Sequence, residues 1–154
     1  ERTSQNQSTP LNVSSATLAG VEASLSGSVG RWAHLTTAFT WLHARDETRA
    51  RALPLRPPIS LYARLSGTSD AFELVDRVAG FVDVEYVAES YADPANLAVI
   101  PGRARVGFGI SVTLLERHVS LEVVLRDAFD ARGVDILGLP LTGRSFVGSL
   151  TLRD

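Results

Sequence analysis

The residues that could do chemistry are few and scattered. His34, His43 and His118 stand on separate segments, with no H-x-x-x-H or H-E-x-x-H spacing to bring two imidazoles onto one ion. Cysteine is absent, which removes thiolate ligands, cysteine nucleophiles and disulfides together. Serines are plentiful, yet no G-x-S-x-G occurs and no His–Asp partner is identifiable for acyl transfer. The glycines of GFGIS and GRSFVGS precede no helix that would hold a phosphate, and they read as aids to strand packing or curvature. DETRARALPLR is basic, but Asp46 and Glu47 interrupt it, so a solvated loop is favoured over a polyanion site. No catalytic residue, metal ligand or cofactor site is assigned, and the expectation is a protein that is not an enzyme.

The elements that would carry any site come next. With 154 residues, 45% of them apolar, and a formal net charge of −2, neither disorder nor a nucleic-acid partner is suggested. Methionine is absent even at position 1, from which the expectation is a chain that starts after processing or partway through a longer product. No run of eighteen apolar residues offers a membrane helix. A β-barrel remains open to this sequence, because its strands spread the apolar signal over alternate positions.

Period-two alternation does recur, from end to end. Seven segments show it: VEASLSGSV, HLTTAFTWLHA, ISLYARLSG, FVDVEYVAES, RVGFGISVTL, VSLEVVLRD and SFVGSLTLR. NVSSATL is an eighth piece or a lead-in to the first. Connections at 28–32 and 116–118 are short, and the stretch 67–77 reads as a turn of intermediate length. Those at 43–58, 91–104 and 128–144 are long and carry proline. The predicted fold is an all-β, antiparallel, up-and-down meander of seven or eight strands, part of a larger transmembrane barrel whose loops sort by length to its two ends.

One face of these strands carries Glu22, Arg64, Asp83, Glu85, Glu89, Arg105, Glu122 and Arg126 among small polar residues. The other face is apolar, with Leu121 expected near a bilayer midplane. Trp32, Trp41, Tyr86, Tyr91 and Phe146 are candidates for the membrane interface, where an aromatic ring keeps a greasy body and, for Trp and Tyr, a wet tip. Tyr62 falls on the polar face by strict alternation. The alternatives are a complete eight-stranded outer-membrane barrel with a structural or adhesive role, and a soluble barrel with apolar residues turned inward around a small ligand.

The closing segment carries a resemblance. Asp127-Ala128-Phe129-Asp130 is followed by Gly138-Leu139-Pro140-Leu141-Thr142-Gly143-Arg144-Ser145-Phe146 and a last alternating strand. This resembles the C-terminus of TonB-dependent outer-membrane receptors, with Phe129, Asp130, Gly138, Pro140, Gly143, Arg144 and Phe146 on the family's pattern. Gly20-Val21-Glu22, FTWLHARDET with LPLRPP, and YVAESYADPANLAVIP resemble further family segments in the expected order. Asp127 and Ala128 replace the usual Asn-Leu, Thr142 replaces a common proline, and Asp154 stands where an aromatic usually ends the last strand.

The resemblance implies that residues 1–154 are the last strands of a receptor barrel in the bacterial outer membrane. The partners it implies are outer-membrane lipid, the remaining strands and a plug domain, with the TonB complex reached through an N-terminal part. It also implies energy-coupled uptake of a scarce ligand such as a ferric siderophore or cobalamin. Asp93, Asn96, Asp135 and Arg144 are the loop candidates for ligand contact, with a structural role in the turns favoured for each.

Overall fold

Alternation of apolar and polar side chains specifies extended strands, and a computed structural model of the chain contains strands and no helix among the residues it describes, 15–72, 75–131, 133–136 and 139–153. The elements are β1 (Ala16–Val29), β2 (Ala33–Asp46), β3 (Arg51–Ala52), β4 (Ile59–Phe72), β5 (Val75–Val87), β6 (Ser90–Tyr91), β7 (Val99–Ile100), β8 (Arg103–Leu114), β9 (Val119–Arg126), β10 (Val134–Ile136), β11 (Leu139–Pro140) and β12 (Ser145–Leu152). One antiparallel sheet runs β1-β2-β4-β5-β8-β9-β12, with the short β3 beside β2. Each long strand pairs with the next long strand in sequence, so the sheet is a meander. β1 and β12 are its open edges.

All seven alternating segments are long strands, and NVSSATL enters β1 at Ala16 without forming a strand of its own among the described residues. Residues 67–77 correct the expectation of an intermediate turn. β4 continues to Phe72 and β5 starts at Val75, with Phe72 paired to Val75 across the hairpin. Strand pairing satisfies the backbone N–H and C=O groups that a looser turn would leave to water, and Thr68, Ser69 and Asp70 each take a ladder partner. The three proline-bearing connections contain small ladders of their own, β2 with β3, β6 with β7, and β10 with β11.

The sheet has no dry interior. Ile100, in a loop ladder, is the one buried hydrophobic residue among those described, at 3% exposure. The mid-strand residues Leu25, Leu61, Ile110, Val123 and Leu150 are between 39% and 64% exposed and converge on nothing. A soluble barrel with an inward apolar face would have buried all five.

Candidate functional site: two faces and two ends

Register converts the alternation into rows that cross the sheet. One row reads Gly27, Leu35, Leu65, Val82, Phe108, Leu125 and Phe146. The next runs Val29, Ala33, Gly67, Gly80, Ile110, Val123 and Gly148. No charged residue interrupts either. Leu121 lies two residues from the start of β9, so Val123 rather than Leu121 is the mid-strand position.

Trp41 pairs with Ile59, the first residue of β4, while Tyr86 and Phe146 lie next to the long-loop ends of β5 and β12. Trp32 occupies the short β1–β2 turn at the opposite end, exposed, with the Arg31 guanidinium 4.1 Å from its ring centroid. Nine residues separate Trp32 from Trp41. At about 3.3 Å per residue and a tilt of about 40°, the two rings stand roughly 23 Å apart along a barrel axis, close to the ~25 Å apolar band of outer-membrane barrels. Tyr91 belongs to β6, off the long sheet, and lines a loop recess with Arg45, Arg56 and Glu89.

The polar face is concave. Tyr62, Arg64, Phe81, Asp83, Glu85, Arg105, Glu122 and Asp127 line a recess of about 380 Å³ on it. Glu85 and Arg105 are register partners and form an ion pair at 3.8 Å. Arg64 lies over the Phe81 ring at 3.6 Å, and that ring covers Gly109, where any Cβ would collide with it. Phe81 was not singled out by sequence reasoning. Its signal is an aromatic on the polar parity of β5, opposite a glycine. Nε of Arg105 and Oδ2 of Asp127 are buried with no hydrogen-bond partner among the described residues.

At the long-loop end, acidic side chains fasten the connections. The Asp93 carboxylate accepts the backbone N–H groups of Ala95, Leu97 and Ala98. These bonds, led by Ala98 and helped by the charge of Arg51, outweigh partial desolvation and hold the Asp93 carboxyl below the usual carboxylate range. Asn96, at φ 56°, accepts from Ala52 N–H at 2.9 Å and donates to Ala52 C=O at 3.0 Å, so its amide acts as a further rung beside β3. Asp46, buried at the end of β2, pairs with Arg49 at 2.8 Å.

The C-terminal motif is a clasp. Asp130 Oδ1 accepts the Arg144 backbone N–H at 3.0 Å and packs where a Cβ on residue 143 would stand, which requires Gly143. Asp127 is buried at the base of the same loop and accepts the Ala131 N–H at 3.0 Å. Phe129 and Phe146 remain exposed, as does Pro140 in β11. Gly138 lies outside the described residues, and Asp135 sits in β10. Asp93, Asn96 and Arg144 thus share the long-loop end, where the Asp93 and Asn96 side chains bond loop backbone and Arg144 donates its backbone N–H to Asp130, rather than meeting in one pocket.

No family model matches the chain, and no curated protein matches it either. A solved structure does. The siderophore receptor PiuA from Acinetobacter baumannii superposes with a TM-score of 0.76 at 15% identity. The chain shares the fold of part of that structure. The match covers 88% of this chain but 21% of that receptor, so the chain spans about a fifth of the longer protein. The fold class is therefore an all-β antiparallel meander of the kind found in outer-membrane receptor barrels.

Proposed function

We propose that the chain is the C-terminal part of a TonB-dependent outer-membrane receptor, and that the whole protein takes up a scarce ligand such as a ferric siderophore or cobalamin. The observation that carries this is the exposed apolar face: rows of Leu, Val, Ile and Phe cross an open sheet that has no core to bury them. Hydrocarbon is the solvent that such rows fit, and aromatics at the two ends of the band fit its interfaces. The likeness to a siderophore receptor over a fifth of its length agrees with a barrel completed by further strands on β1 and β12. Unpaired edges of this length otherwise invite aggregation. An eight-stranded barrel complete in itself fits poorly with a sheet that stays open.

On this reading the polar face, with its charged recess, meets a plug. The long loops then lie outside the cell and the short turns in the periplasm. The test is uptake of radiolabelled ferric siderophores and cobalamin by cells with and without the gene, with the membranes fractionated in parallel. Gene-dependent uptake that stops when the proton-motive force is collapsed supports the proposal. A protein that fractionates as soluble overturns it.

A further inference from the structure

The short-turn end holds an arrangement that neither the sequence motifs nor the receptor reading uses. Arg77, Arg117 and Arg153 line one recess of about 570 Å³ together with Thr68, Thr113 and Asp76. They arrive from β5, from the β8–β9 turn and from the residue after β12, and hydrogen bonds tie the three segments together. A β-bulge between Val75 and Arg77 sets Arg77 opposite Thr113 and leaves Asp76 as the extra residue. The Asp76 carboxylate accepts the Arg117 backbone N–H at 2.9 Å. The Arg153 N–H donates to His118 C=O at 2.8 Å, which anchors the chain end to the same turn.

That turn is strained. Leu115, Glu116 and Arg117 all have positive φ, at 55°, 55° and 73°, although none is glycine. The left-handed region is costly for residues with a Cβ, and three in succession persist only where the surroundings fix them. Here the bulge and the Asp76 bond do so. All three arginine side chains are exposed, and none has an ion-pair partner among the described residues.

We propose that this recess binds an acidic peptide segment, each guanidinium taking one carboxylate. Guanidinium forks match carboxylates in bidentate geometry, and three of them on separate segments suit successive acidic side chains. The recess is too large to be filled by one phosphate ion. A lipid headgroup is disfavoured by register, since Arg77 and Thr113 share the polar parity while Val78 and Val112 point to the apolar face. The inference stands on the arginines and does not require the receptor reading.

The protein in detergent micelles is titrated against fluorescein-labelled hexaglutamate by anisotropy at low salt. The combined Arg77→Gln, Arg117→Gln and Arg153→Gln variant is expected to bind at least ~10-fold more weakly, and raised salt to weaken the wild type. Inorganic phosphate at equal charge is expected to leave the peptide bound. Unchanged affinity in the triple variant overturns the proposal, as does displacement by phosphate, which would make this a small-anion site. Asp76→Ala provides a second check that keeps all three arginines. Removing an acid strengthens binding if charge alone acts, whereas loss of the Arg117 tether weakens it if position matters, so a strengthened affinity also counts against the site.

Discussion

The two faces of this sheet share one backbone and one register, yet they are organised differently. On the apolar face, residues repeat by parity alone, and Leu, Val, Ile and Phe succeed one another along the rows in no fixed order. On the polar face, individual pairs matter: Glu85 with Arg105, Arg64 on Phe81, Phe81 on Gly109. If the proposed function holds, the first face meets a fluid, which composition suffices to suit, and the second a folded partner, which geometry must fit.

The comparison is broken most severely by putting a charge on the wrong side of one strand. Val123→Arg should destabilise folding into lipid by about 2–4 kcal/mol, the range for a cation at the bilayer midplane of a barrel. Val124→Arg, one residue on and facing the polar recess, should cost much less. Urea titration in lipid vesicles measures both, and equal costs would contradict the assignment of faces.

A smaller effect sharpens the claim that the polar face is jigsaw-like. Gly109→Ala would drive a Cβ into the Phe81 ring beneath Arg64, at an expected cost of about 1–3 kcal/mol for overpacking. Gly148→Ala, which meets open space on the apolar face, should be nearly neutral in the same titration.

The smallest effect is local and pH-dependent. The folded Asp93 carboxyl titrates below its unfolded value of about 3.9, so its contribution is complete above that value and is lost as pH falls through the folded one. Asp93→Ala should accelerate amide exchange at Ala95, Leu97 and Ala98 at neutral pH, leave the long strands unchanged, and abolish the acid-induced acceleration. Exchange that stays slow would show that the turn is held by other means.

The seven long strands, their faces and the sorting of short and long connections were all legible, because side-chain parity in a strand is a local property of consecutive residues. The 67–77 stretch was misjudged because Thr68, Ser69 and Asp70 carry the composition of a turn while gaining ladder bonds from β5. The resemblance at the C-terminus placed a motif without explaining it. Asp130 and Gly143 are thirteen residues apart, and only the closed loop shows that one carboxylate holds the next N–H and occupies the space a side chain would need.

The sequence by itself determined which side of each strand is greasy, since alternation is written residue by residue. Tertiary structure alone decided which polar residues meet, from Glu85 and Arg105 to the arginines at the short-turn end. Register and the bulge at Asp76 bring together positions separated by up to 76 residues, from Arg77 to Arg153, and no local pattern encodes that distance.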